Sequence, residues 1–158
     1  MPVIELDTFI NAPAEICFDL ARSIDLHQTS MGKSKEKAIA GKTTGLIELN
    51  ETVTWRAKHF GIWQTLTSKV IAYHYPEFFA DEMVKGGFHS FRHEHHFIKT
   101  THGTLMKDRF EFKTPLGWIG KIANQLFLTK YMTNLIAERN KVIKETAENG
   151  EWKKILNT

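Results

Sequence analysis

From Phe88 to Lys113 apolar and polar residues alternate with period two, the pattern of β-strands, and the alternation is interrupted once, at His102-Gly103. One face of this hairpin collects His89, Phe91, His93, His95 and Phe97, then Met106, Asp108, Phe110 and Phe112. The other collects Arg92, Glu94, His96 and Lys99, then Lys107, Arg109, Glu111 and Lys113, a set that belongs in water. The first face therefore points inward, and it is an aromatic interior that also carries histidines and an aspartate. From Leu116 to about Glu145 the period becomes helical, with Leu126, Phe127, Leu128, Tyr131, Met132, Leu135 and Ile136 in its apolar stripe, long enough to lie across a sheet. The stripe is widest from Leu126 to Met132, a breadth that reads first as plain core and second as a ligand wall.

Upstream, Val3 to Ile10 reads as a first strand, and Asn11-Ala12-Pro13-Ala14-Glu15 as a helix start with an acid in its first turn. Ile16, Leu20 and Ile24 continue that helix, and Asp25 is placed to cap a second short one through Ser30. Gly32 to Lys37 is an exposed connection into a strand near Glu36 to Ala40. From Leu46 to Lys113, breaks at Gly61, Tyr75-Pro76, Gly86-Gly87 and His102-Gly103 give the spacing of an antiparallel meander. Val53, Trp55, Ala57 and His59 share one face of its first strand, which points Trp55 inward. The next strand, Ile62 to Tyr73, is ambiguous: Leu66 and Val70 argue for one face, and Trp63, Ile71 and Tyr73 for the other. These elements predict an α+β chain with one domain over residues 1–145, followed by a frayed tail over 146–158 on which Trp152 and Ile155 are placed to dock.

Composition changes this picture little. With 158 residues, 42% of them hydrophobic, the chain can bury a core without staples. Cys17 is its one cysteine, so it forms no internal disulfide and no thiolate zinc cluster, which suits the cytoplasm. No stretch reaches the length of a membrane span and no signal region precedes Leu6, which points to a soluble protein. The net charge of +3 is spread among acids and forms no basic stripe, which argues against nucleic acid as a partner.

The candidate chemistry lies in strand pairing. A two-residue turn at Thr101-His102 sets His95 opposite Asp108, His93 opposite Phe110 and Phe97 opposite Met106. A carboxylate across from an imidazole favours the imidazolium and orients its ring. A turn at Gly86-Gly87 likewise pairs Glu82 with Phe91 and points Glu82 inward and Asp81 outward. Three readings of these polar groups stand side by side: a satisfied internal network, a recognition site for the polar head of a hydrophobic ligand, or a metal pair of His93 and His95 completed by Asp108 or Glu82. No resident metal or cofactor is expected. A histidine beside an acid can also act as a general base, but no nucleophile elbow is present and Cys17 sits on a helix stripe as a structural thiol. Gly32-Lys33-Ser34 and Gly41-Lys42-Thr43 lack the upstream glycine of a phosphate-binding loop.

The ordered set Pro76, Phe79, Asp81-Glu82, Gly87-Phe88, His93, His95, Phe97, Gly103-Thr104, Asp108, Pro115-Leu116-Gly117 and Arg139 resembles the START-like (SRPBCC) superfamily, above all its small bacterial coenzyme Q-binding and polyketide cyclase-like members. The resemblance runs from about Val3 to Lys144. It implies a helix-grip fold: a curved antiparallel sheet around a long C-terminal helix, with two short helices after the first strand. It further implies a pocket between sheet and helix for a lipid, quinone or polyketide, with Trp55, Glu82, Phe91, His93, His95, Phe97, Met106, Asp108, Phe110, Leu126 and Met132 as candidate lining. The superfamily has no universal catalytic residues, so a carrier or sensor is expected ahead of the alternative, a cyclase or aromatase using His95 with Asp108 as base. Leu116, Trp118 and Ile119 are candidates for transient contact with a membrane.

Overall fold

The computed structural model of the chain describes residues 1–114 and 121–156. Within them the elements follow the order β1 (Val3–Ile10), α1 (Ala14–Ala21), α2 (Ile24–Ser30), β2 (Lys37–Gly41), β3 (Thr52–His59), β4 (Ile62–His74), β5 (Phe78–Lys85), β6 (Ser90–Thr100), β7 (Gly103–Lys113), α3 (Lys121–Glu148) and α4 (Trp152–Ile155). The strands form one antiparallel sheet in the order β1-β7-β6-β5-β4-β3-β2. Only the β1 to β7 pairing joins strands distant in sequence, and α1 and α2 occupy the crossover between β1 and β2. The expected lip residues Leu116, Trp118 and Ile119 lie outside the described residues. Among the described helices none is long and apolar enough to cross a membrane.

α1 begins just after Pro13, whose fixed φ of −62° suits a helix start, and buries Ala14, Cys17, Phe18, Leu20 and Ala21. α2 is capped by Ser23, whose hydroxyl accepts from the Leu26 amide, and not by Asp25. Asp25 accepts from Thr44 Oγ1 and the Gly45 amide and so fastens the loop after β2. Of the segment expected to fray, Thr146 and Ala147 are buried at the end of α3, and Trp152 and Ile155 of α4 pack on the apolar cluster around Phe18.

The β6–β7 hairpin has the expected register, with His95 opposite Asp108 and Phe97 opposite Met106. The β5–β6 hairpin does not. Its strands are joined by residues 86–89 and pair as Asp81 with His93 and Glu82 with Arg92, one residue away from the register of a two-residue turn. Because strand side chains alternate, that slip exchanges the faces: Asp81 points inward, while Glu82 lies on the outer face 3.1 Å from Arg92. The ambiguity of β4 also has a physical source. Its register with β5 shifts between Val70 and Ala72, leaving Ile71 as the extra residue of a bulge. Before it Leu66, Ser68 and Val70 face inward; after it Tyr73, opposite Phe79, does. Trp63 lies on the outer face beneath the Arg56 guanidinium, 4.1 Å from the ring centroid.

Candidate functional site

Between the inner face of the sheet and α3 lies a cavity of ≈ 900 Å³. Protein interiors rarely leave voids larger than a water molecule, so a hollow of this size is not a packing defect. The wall is mostly apolar. β3 and β4 contribute Val53, Trp55, Ala57, Leu66 and Val70, and α3 contributes Leu128, Met132, Leu135 and Ile136. From the wide part of the α3 stripe Phe127, Leu128, Tyr131 and Met132 border the cavity, and Leu128 and Met132 also pack on the core around Phe112.

At one level of the wall the polar side chains form a network. His93 Nε2 lies 2.8 Å from Asp108 Oδ1, and His95 reaches Asp81 through Nε2 at 3.1 Å and Asp108 through Nδ1 at 3.2 Å. Arg139 enters from α3. Its guanidinium donates to Asp108 Oδ1 at 3.4 Å, to Asn140 Oδ1 at 3.0 Å and to the Ala21 carbonyl at 3.1 Å. Asn140 Nδ2 donates to Asp108 Oδ2 at 2.7 Å. The network therefore ties α3 to the middle of the sheet and to the end of α1. Among the described residues no buried side-chain nitrogen or oxygen lacks a partner.

Burial governs the electrostatics at His93, the second imidazole on Asp108. Burial, reinforced by the neighbouring His95, pushes His93 down to about 4 in spite of Asp108, so His93 is neutral at pH 7. Burial alone would raise the Asp108 carboxyl, but hydrogen bonds from His93 and His95 and the Arg139 charge override it and hold it well below the usual carboxylate range. Asp81 is lowered in the same way, burial being outweighed by His95.

Of the residues expected to line a pocket, Trp55, His93, His95, Phe110 and Met132 do border the cavity. The others do not. Asp108 lies behind the two imidazoles with 1% of its side chain exposed. Phe97 and Met106 are core beneath α1, packed with Phe18 and Ile143, and Phe91 packs with Phe112 and Ile136. Leu126 is 80% exposed on the outer side of α3. Glu82 faces solvent for the register reason given above, and Asp81 takes its place. Arg139, part of the family resemblance but not of the expected lining, also borders the cavity; its place on the same helical stripe as Leu135, Ile136 and Ile143 is the signal that points it inward.

Asp81, His93 and His95 bring ligand atoms within 4.8 Å of one another, the spacing of a metal site. The donor set does not fit one. His93 and His95 each commit Nε2 to a carboxylate, and Arg139 brings a fixed positive charge against Asp108 and the Nδ1 of His95. Protein purified without a histidine tag is expected to carry zinc or iron well below one equivalent by elemental analysis; a stoichiometric metal would refute this.

By sequence, no family model and no curated protein matches the chain. Solved structures do match. A Thermus thermophilus protein, TTHA0849, superposes with a TM-score of 0.75 at 15% identity, over 92% of this chain and 97% of that one. The aromatase/cyclase StfQ of the steffimycin biosynthetic pathway, a di-domain protein, gives 0.71 at 11% identity over 94% of this chain. The chain has the helix-grip fold of START-like proteins. It spans about half of StfQ, 51% of that chain. The major latex-like protein 151 of Panax ginseng shares the same START-like fold, with a TM-score of 0.65 at 11% identity, over 92% of this chain and 97% of that one.

Proposed function

We propose that the protein binds a hydrophobic small molecule, of the lipid, quinone or polyketide-like kind, in the cavity between its sheet and α3. The observation that carries this reading is the hollow itself: ≈ 900 Å³ within a domain of 158 residues, walled mainly by aliphatic and aromatic side chains. A guest burying roughly 300 Å² of apolar surface gains about 7 kcal/mol before the costs of association. The fold shared with an aromatase/cyclase supports the same reading. A carrier or sensor is favoured over an enzyme because the proposed base, His95, has both ring nitrogens engaged by Asp81, Asp108 and Arg139. The buried thiol of Cys17, pushed up to about 11 by burial, is unreactive and suits a cytoplasmic setting.

The test uses the neutral fluorescent probe N-phenyl-1-naphthylamine. One molecule is expected to bind per chain with micromolar affinity. Leu135→Trp, which fills the cavity from α3, should weaken binding at least tenfold without lowering Tm. Binding that is absent, or indifferent to this substitution, would overturn the proposal.

A further inference from the structure

A second polar group faces the same cavity. His59, at the end of β3, places Nδ1 2.7 Å from the Tyr131 phenol oxygen on α3. Phe60, next in the chain, holds the left-handed φ of 55° and lays its ring on Tyr131 with centroids 4.6 Å apart. His27 and Glu36 meet at 2.7 Å and border the cavity too, with the His27 ring tilted against Trp55. Tyr131 and Arg139 stand on one helix, so the two polar levels are separated by two turns, about 12 Å along its axis. Apolar Met132, Leu135 and Ile136 lie between them.

Resting on the reading of the cavity as a binding site, we infer that its guest is a neutral molecule with two polar ends: a hydroxyl that donates to Asp81, and an oxygen that accepts from the His59–Tyr131 pair.

Three observations lead there. Asp81 gives one carboxylate oxygen to His95 and keeps 20% of its side chain open. Asp81 borders the cavity, and among the described residues its other oxygen has no hydrogen-bond partner and is not fully buried, so it calls for a donor. The His59–Tyr131 bond leaves one hydrogen unspent in either tautomer. If Tyr131 donates to Nδ1, the His59 proton sits on Nε2; if Nδ1 donates, the phenol proton is free. The pair therefore offers a donor to a guest carbonyl or hydroxyl. Finally, the fixed cations among the described lining residues are Arg22 and Arg139, and each already holds a carboxylate, Asp19 at 2.8 Å and Asp108 at 3.4 Å. Glu36 and Asp81 add negative charge to the wall, and both carboxyls lie below their ordinary pKa because their histidine partners outweigh burial. Among the described lining residues a fatty-acid carboxylate would find the His59–Tyr131 donor but no cation that is not already paired, and it has no proton for Asp81, whereas a diol or hydroxyketone would find a partner at each end.

Calorimetric titration at pH 8 with dodecanediol bearing a hydroxyl at each end, with dodecanol and with dodecanoate separates these cases. The diol is expected to bind about tenfold more tightly than the alcohol, and the alcohol more tightly than the carboxylate. Tyr131→Phe, which keeps the ring against Phe60, should reduce the diol-to-alcohol ratio severalfold, with an unchanged circular dichroism spectrum. Dodecanoate binding as tightly as dodecanol, or a ratio that survives both Tyr131→Phe and His59→Gln, would overturn this inference and leave the cavity reading standing. Absence of binding by all three would overturn the cavity reading and this one with it.

Discussion

Arg139→Met is expected to destabilise the fold by about 3–5 kcal/mol, the cost of leaving a buried carboxylate without its cation. The guanidinium is 6% exposed and Asp108 1% exposed, so neither is relieved by water. Its loss also strips a donor from the Ala21 carbonyl at the end of α1. Methionine keeps most of the volume, which separates the charge effect from a cavity effect. Asp108→Asn alone should also be costly, because the amide cannot accept from His93, Arg139 and Asn140 as the carboxylate does. The double variant should be more stable than the sum of the two single losses predicts, by at least 1 kcal/mol in a double-mutant cycle, since the second change removes the stranded charge. Urea midpoints followed by tryptophan fluorescence measure all three. A loss below about 1 kcal/mol for Arg139→Met would mean that the guanidinium does not hold α3 to the sheet.

Acid is expected to weaken the protein well before the ordinary carboxylate range is reached. His93 has a folded pKa of about 4 against 6.5 for the free side chain. Between those values the unfolded chain binds a proton that the folded chain refuses, so stability falls as pH drops from about 6.5 towards 4 and is whole above that window. The loss attributable to His93 is on the order of 2–3 kcal/mol. Asp108 and Asp81 act in the next window. Their folded values are depressed, so the stability they contribute is present above the ordinary carboxylate range and is lost as they protonate below it. The profile should therefore decline from near neutrality and continue to decline in strong acid. His93→Gln keeps a donor for Asp108 but cannot titrate, and its urea midpoints should vary less between pH 6.5 and 4.5. An unchanged slope in that variant would exclude His93 as the source.

The fold was legible because its signals are local and repeated. The alternation from Phe91 to Phe112 marks both faces of β6 and β7, and a two-residue turn at Thr101-His102 leaves the register no freedom. The candidate site was legible only where that certainty extended: His93, His95 and Asp108 were placed together by the same hairpin. The β5–β6 connection offers two glycines that imitate a tight turn, but the strands close across residues 86–89, and a register shift that leaves Val84 as an extra residue of β5 puts Asp81, not Glu82, on the inner parity. β4 gave contradictory signals because Leu66 and Val70 face inward before the bulge at Ile71 and Tyr73 after it, while Trp63 packs outside beneath Arg56. Inward orientation also proved insufficient to define lining. Phe97 and Met106 face inward yet meet Phe18 of α1, because α1 fills that end of the concavity and leaves the other open. His59 and Tyr131 lie far apart in sequence, and nothing in either segment announces that the turn after β3 leans on the roof helix.

The dipeptide Asp81-Glu82 holds two acids of nearly equal chemistry, and strand parity alone decides that one serves His95 inside while the other serves Arg92 outside. The extra residue at Val84, just before the connection at 86–89, thereby selects which carboxylate enters the interior. Adding or deleting a single residue there is an electrostatic substitution in disguise, felt by whatever occupies the hollow although no residue that touches it has been changed.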